Sequence, residues 1–522
     1  MKKPNIIIIV LDGLRADKLF AYGSSKNILP FMNNLSEKGT VFLNHYSVAN
    51  TSVPTHISMF TGTIPSYHKC ASHYSYYNGE VGYLPEKLKE NNYKTIGVIN
   101  KSPYFSWETG FIRGFEKFYI IQKTARYIYQ RNRIKNLQLV HATLSQNKKN
   151  ISQIIKDKLK YIKFLRYLRY KNHFNFSLYN DQCGWTVVKT VEKISEELSK
   201  SDAPFFLFVN IGDTHMPFSP LRFYINDELY NKINYNILHA IFCPLDLRLN
   251  KTNLTAEEKN ILIELVNAKT RYADDLLKYI YTTLEKKDLL KNSYIFITSD
   301  HGTSQLEKKS MFGHENSIYN SEIRIPLIMI GDGITKRSIN KYTSIIDITP
   351  TINELCNIKN NEHIIKNEAI NLLDNHQLHQ IIFAEQPQPP EKIKIKFQKY
   401  PEYYRDLNTT FRAFITDKYK LLWASSGNHE LYNLETDINE TQNIFNSNIN
   451  IAKNILDIAI QKYKSILGSN FFSLEKFDYT YSDIITNDIL KNPQNKDDII
   501  TVKDVVKNKS EWNEFFAKLQ NL

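Results

Sequence analysis

Asn5-Ile6-Ile7-Ile8-Ile9-Val10-Leu11-Asp12-Gly13 opens the chain and decides how the rest is read. Six aliphatic residues in a row, five of them β-branched, suit a strand covered on both faces, the hallmark of a parallel sheet flanked by helices. Met1-Lys2-Lys3 before the run imitates a short signal peptide, but the run is too short, Asp12 closes it, and no small-residue cleavage site follows. Similar apolar runs recur at Lys94–Asn100, Pro204–Ile211, Ser293–Thr298 and Ile325–Ile330. Helical periodicity fills the gaps at Pro30–Lys38, Leu84–Asn91, Thr186–Leu198 and Ala256–Lys286. The alternation predicts an α/β fold over residues 1–375, with a doubly wound, mostly parallel sheet flanked by helices.

After about residue 375 the texture changes. Gln386-Pro387-Gln388-Pro389-Pro390 is a break. Phe411–Thr416 and Tyr419–Ala424, joined by Asp417-Lys418, then Glu430–Asn433, predict a small C-terminal antiparallel-sheet subdomain over 376–470. Residues 471–522 are expected to form a helical tail.

Composition bounds the function classes. Hydrophobic residues make up 42% of the 522, enough for a large core, so global disorder is excluded. No apolar run reaches 18 residues, so no spanning helix is expected. Cys70, Cys183, Cys243 and Cys356 are far apart and form no CxxC pair, which points to reduced thiols, a cytoplasmic protein and no structural zinc cluster. The net charge of +13 has two readings, an anionic partner or drift in a chain rich in Asn, Lys and Ile.

Residues 123–171 carry fourteen Lys or Arg against one acid, Asp157. They are read as a basic helical insertion over about 122–175. Ile155, Leu159, Ile162, Leu165 and Leu168 fall at helical spacing among these cations. Two readings stay open: an amphipathic helix on the inner membrane face, in contact through 154–170, or a surface insertion whose stripe packs on the main domain. No nucleic-acid partner is expected.

Chemistry-bearing residues cluster after the predicted strands, where open α/β sheets place their sites. Asp12 ends the first run. Asp213-Thr214-His215-Met216-Pro217 follows Pro204–Ile211, and Ser299-Asp300-His301-Gly302 follows Ser293–Thr298. His314-Glu315-Asn316 precedes Ile325–Ile330. Ser52 is expected just before the N-terminus of a short helix, with Pro54 in its first turn and Gly62 at its end. A hydroxyl there faces free N–H groups that favour an anion or alkoxide. Thr51 is a rival for the same role. Carboxylates and imidazoles at strand tips suit a divalent cation.

The order of these motifs resembles the sulfatase branch of the alkaline-phosphatase-like superfamily. Ser52-Val53-Pro54-Thr55-His56 through Thr61-Gly62 is similar to that family's nucleophile signature. Leu276–Gly302 is similar to its second signature. Thr109-Gly110, Arg113-Gly114-Phe115 and the run from Phe411 to Asn443 also match. The resemblance covers roughly 4–120 and 185–445. It implies a hydrolase of sulfuric or phosphoric esters with Asp12, Asp300, His301 and Ser52 around one divalent cation (Ca²⁺, Mg²⁺ or Mn²⁺). It also implies Ser52 as nucleophile, by alignment to Pro54, and His215 and His314 at the transferring anion or leaving oxygen. His56 stands where the family has an Arg supporting the nucleophile, and Lys101 near its anion-binding Lys. Asp213 is assigned to substrate. A second, zinc-like site from Asp213, His215 and His314 is a further expectation.

Three departures shape the chemistry. Gly13 replaces a second Asp, His56 replaces the Arg, and Ser52 replaces the commoner Cys. The family's oxidation to formylglycine favours the Arg-containing motif, which argues against modification of Ser52. An unmodified serine can form a phosphoseryl intermediate that water opens, whereas a sulfated serine lacks the second hydroxyl that expels sulfate. The chemistry therefore leans to phosphoesters of an anionic small molecule, glycan or lipid. The alternative is a phosphoryl-group transferase acting on a surface glycan or lipid at the inner membrane face. An inactive binding protein on the same fold is a third reading.

Overall fold

β1 (Asn5–Leu11) runs through the middle of an eight-stranded sheet, and every one of its residues from Ile6 to Leu11 is fully buried. Its side chains divide by parity. Ile6, Ile8 and Val10 enter one hydrophobic core, and Ile7, Ile9 and Leu11 the other. The unbroken aliphatic run is thus a strand with apolar cover above and below. The computed structural model describes residues 2–72, 75–100, 105, 109–121, 163–175, 182–248, 253–308, 311–314, 317–386 and 409–468.

The other strands of the large sheet are β2 (Thr40–Tyr46), β3 (Lys94–Asn100), β4 (Lys117–Ile121), β5 (Phe205–Ile211), β6 (Ser293–Thr298), β9 (Leu327–Ile330) and β10 (Arg337–Ser344). Their order is β10-β2-β9-β6-β1-β5-β3-β4. β1 pairs in parallel with β5 and β6, so Leu11, Ile211 and Thr298 bring three strand tips to one edge. The sheet is mixed: β9 runs antiparallel to both β2 and β6. Two short strands, β7 (Ser304–Gln305) and β8 (Phe312–Gly313), form a separate ribbon beyond the tip of β6. The helices at Gln182–Leu198 and Ala256–Lys286 cover one face. The second begins with a capping box in which Thr255 and Glu258 satisfy each other's backbone N–H.

β11 (Ile382–Gln386), β12 (Phe411–Ile415), β13 (Tyr419–Ala424) and β14 (Glu430–Asn433) form a four-stranded antiparallel sheet. Phe383, Phe414 and Leu421 from it, with Ile455 and Tyr463 of the helix Ile449–Leu467, join the same core as Ile6 and Phe60. The C-terminal part therefore shares a core with one face of the main sheet. Among the described residues no helix is long and apolar enough to cross a membrane. Lys101, residues 122–162 of the basic insertion, Glu315 and Asn316, the Pro-rich break and the tail 471–522 lie outside the described residues.

Candidate functional site

The site assembles at the strand tips. Asp12 follows β1 and is buried. Asp300 and His301 follow β6 and are buried as well. Ser299 ties the two tips together: its hydroxyl lies 2.7 Å from the Leu11 carbonyl and accepts from the Leu14 N–H at 2.9 Å. Asp300 Oδ1 accepts from the N–H groups of Gly13 (3.1 Å) and His301 (2.9 Å), which fixes the carboxylate and leaves Oδ2 with no hydrogen-bond partner. Asp12 Oδ1 is likewise buried without a partner.

Ser52 lies in the helix Ser52–Thr61, all of it buried. Thr51 is the N-cap and Ser52 the first helical residue, a correction by one position to the expectation that Ser52 precedes the helix. Gly62 ends the helix in the left-handed conformation (φ +68°). Ser52 Oγ is 3.3 Å from His301 Nε2. The same Nε2 is 3.7 Å from Asp12 Oδ1 and 3.5 Å from Asp300 Oδ2. His301 Nδ1 lies 2.8 Å from the Gly302 carbonyl, which can only accept, so Nδ1 carries the proton and Nε2 offers its lone pair.

Three electron-pair donors therefore face one another in a dry pocket. Their ligand atoms all lie within 4.8 Å of one another. Burial raises the pKa of both carboxyls. At Asp12 the charge of Asp300 adds to burial and holds it well above the usual range. At Asp300, His301, His56 and the Ser52 hydroxyl outweigh burial and bring it down to about 2. Bare carboxylate oxygens opposed across a buried gap are costly unless a positive charge sits between them. The donor set, two carboxylates, one imidazole and a hydroxyl, thus fits a divalent cation. Gly13 adopts φ +80°, and a Cβ there would lie 3.1 Å from Thr303 Oγ1, so this turn does not readily take the second Asp of the resemblance.

His215 and His314 come together opposite this cluster, with Nε2 atoms 2.7 Å apart. His215 Nδ1 donates to the Met216 carbonyl and His314 Nδ1 to the Asn50 carbonyl, each at 2.9 Å. In the neutral forms both Nε2 atoms present lone pairs, so their approach requires a shared proton or a cation. Burial, then His301, pushes the pKa of His215 down to about 4.

The second expected ligand set needs correction. The cluster that forms is His215, His301 and His314. Asp213 is not in it, because its Oδ2 turns to the Asn100 amide at 2.7 Å, while Asn100 Oδ1 accepts from the Gly212 N–H at 2.6 Å. His301 Nε2 is common to both clusters and can ligate in only one of them at a time.

His56, the residue read as standing where the family has an Arg, points back along its own helix, with Nδ1 3.8 Å from Asp300 Oδ2. It is four residues along the helix from Ser52, and its Nδ1 donates to the Ser52 carbonyl at 2.7 Å. Its ring is boxed edge-on by Phe105, Phe111 and Phe208, with centroids 4.7, 5.8 and 5.6 Å away. It holds the Ser52 backbone rather than the Ser52 hydroxyl, and burial pushes its pKa down.

Sequence reasoning missed three residues. Asn210, in β5, is buried against Asp12 and favours its charged form. Lys269, on the long helix, donates to the carbonyls of His215 (2.5 Å) and Pro217 (2.8 Å) and so clamps the His215 turn. Asn50 holds His314, and its own amide donates to the Ser317 carbonyl at 2.7 Å and to buried Glu322 at 3.1 Å. Polar residues inside apolar runs were a readable signal for Asn210. One Lys among many gave none for Lys269.

Comparisons with known proteins bear on the family and the fold. The Sulfatase family model matches residues 4–358. Arylsulfatase K of Gallus gallus is 22% identical over 544 residues, covering 95% of this chain and 92% of its own. Arylsulfatase K of Canis lupus familiaris is 24% identical over 372 residues, covering 67% of this chain, which spans 62% of that protein's length. Choline-sulfatase of Rhizobium meliloti (strain 1021) is 22% identical, with 68% of each chain covered. Among solved structures, a phosphonate monoester hydrolase of Agrobacterium radiobacter superposes with TM-score 0.63 at 15% identity, covering 88% of this chain and 96% of that one. A 2-O GAG sulfatase gives TM-score 0.61 at 16% identity, covering 88% and 93%. These structural likenesses speak for the fold, and the family match over more than half of the length decides membership: the chain belongs to the sulfatase family.

Proposed function

We propose that this protein is a metal-dependent ester hydrolase that uses Ser52 as its nucleophile and acts on phosphoric rather than sulfuric esters of an anionic small molecule, glycan or lipid. The observation that carries the reading is the approach of Ser52 Oγ to His301 Nε2 (3.3 Å) beside the bare oxygens of Asp12 and Asp300. A divalent cation of the Ca²⁺, Mg²⁺ or Mn²⁺ type, held by Asp12, Asp300 and His301, would neutralise the substrate anion and lower the pKa of the serine hydroxyl.

Ser52 first gives its Oγ proton to solvent, and the alkoxide, favoured by the helix N-terminus, attacks phosphorus as the bond to the ester oxygen breaks. The proton shared between His215 and His314 passes to the departing oxygen, which leaves as the alcohol. The pair, now neutral, takes a proton from water. That water attacks the phosphoseryl group, releasing phosphate and restoring Ser52. Lys269 and Asn50 hold the two imidazoles in place through backbone carbonyls. His56 keeps the first helical turn rigid beneath the nucleophile. The relatives and structural neighbours are named for sulfate and phosphonate esters. The lean to phosphorus rests on Ser at position 52 in place of Cys.

Turnover of an aryl phosphate and an aryl sulfate by wild-type protein and Ser52→Ala tests this. Faster phosphate turnover, lost in the variant, is the expected result. Faster sulfate turnover would contradict the phosphoester assignment, and full activity of the variant would contradict the nucleophile.

A further inference from the structure

The helix over 163–175 takes no part in the catalytic cluster, and its two faces differ in kind. Its inner face is fixed to the helix Tyr235–Phe242. Phe174 is buried, and Tyr170 stacks on Phe242 with centroids 5.3 Å apart. The Tyr170 hydroxyl lies 3.2 Å from Cys243 Sγ. Tyr167 and Tyr170 also pack on the core that holds Ile237, Ile241 and Leu265.

The outer face carries Phe164, 55% exposed, and Leu168, 39% exposed, one turn apart. Lys171 is exposed on the same side of the helix, with Lys163 and Arg169 exposed at its margins. No Asp or Glu occurs from 163 through 175. A large aromatic and a leucine at i and i+4, flanked by cations on a helix whose other face is already occupied, fit the headgroup region of an anionic bilayer.

We propose that this face docks the protein on an anionic lipid surface, with Phe164 and Leu168 entering the acyl boundary and the flanking cations meeting lipid phosphates. Two features choose this occupant over others. The cations alone would suit a nucleic-acid duplex equally, but its phosphate backbone gives exposed Phe164 and Leu168 nothing to bury against. Residues 123–162 bring ten further Lys or Arg and only Asp157, so this neighbouring stretch is like-charged and a poor cover for the face. The inference stands apart from the ester-hydrolase reading, since docking needs no turnover.

The full-length protein is sedimented with phosphatidylcholine vesicles containing phosphatidylglycerol, beside vesicles of phosphatidylcholine alone. Partitioning onto the anionic vesicles, weakened by salt, is expected. Lys171→Gln lowers it about five-fold. Phe164→Ser with Leu168→Ser lowers it about ten-fold at unchanged circular dichroism and unfolding midpoint. Absence of binding, equal binding to the neutral vesicles, or wild-type binding by the Phe164/Leu168 double variant overturns the proposal. So does tighter retention on duplex DNA or RNA than on the anionic vesicles.

Discussion

Two buried charge clusters in the molecule are built on opposite rules. Where the C-terminal sheet meets the main domain, Lys420 Nζ lies 2.6 Å from Glu440 and donates to Asn320 Oδ1 at 2.9 Å, while Glu440 accepts from the Asn320 N–H at 2.6 Å. Opposite charges meet, and the cluster is a strut. At the tips of β1 and β6, like charges meet. Asp12 and Asp300 turn bare oxygens toward each other and toward a lone pair of His301. Left alone, such a cluster costs stability, so its geometry makes sense as a receptor for a cation. Burial is equal in the two places, and the sign of the charges separates a strut from a site.

The comparison can be broken in four ways, from the largest expected effect down. Ser52→Ala should lower turnover of an aryl phosphate by about 10³-fold or more, with the fold intact by circular dichroism. Asp12→Asn should weaken divalent-cation affinity by about 100-fold or more, read by isothermal titration, because loss of a direct ligand exceeds the loss of an outer partner. In metal-free protein the same variant should leave stability unchanged or raise it by about 1 kcal/mol, since Asn imitates the protonated carboxyl that burial already favours.

Lys420→Met should do the reverse. It strands Glu440 at full burial and should cost about 3–5 kcal/mol in chemical denaturation, with aryl-phosphate KM unchanged. The smallest effect is on acidification. His68 is buried between Ser58 Oγ (2.7 Å) and the Cys70 N–H (3.1 Å), and burial lowers its pKa from 6.5 to about 3. The unfolded chain binds this proton first, so stability is full above about pH 6.5 and falls below it, at up to about 1.4 kcal/mol per pH unit. His68→Gln should remove one proton's share of that slope in urea titrations between pH 7 and 5. Buried His45, lowered to about 3 by burial, keeps its own share.

How much of this was legible follows from where the residues sit. Asp12, Ser52, Asp300, His301 and His215 could be read because each follows an apolar run or lies at the head of a short helix, His314 was read from the family resemblance, and the structure brings all six together. Asp213 was misplaced because residues two apart on the turn after β5 point to different neighbours: His215 faces His314, whereas Asp213 faces Asn100. His56 was read from its position four residues after Ser52, and helical spacing brings its Nδ1 to the Ser52 carbonyl. β10 was missed because it is a largely exposed edge strand with few apolar residues, Arg337–Ser344. The antiparallel direction of β9 leaves no trace in a run such as Leu327–Ile330, since strand direction is set by the path of the chain and not by hydrophobicity. Lys269 stayed hidden because its partners are carbonyls 52 and 54 positions away.

The central claim is that the hydroxyl of Ser52 is the atom that takes the phosphoryl group at the cation site. Rapid quench of metal-loaded enzyme with an aryl phosphate, followed by peptide mass spectrometry, tests it most directly. A phosphate ester on the Ser52 side chain, absent in Ser52→Ala, is the expected result. A phosphate on Thr51, or steady turnover with no labelled residue, would contradict it.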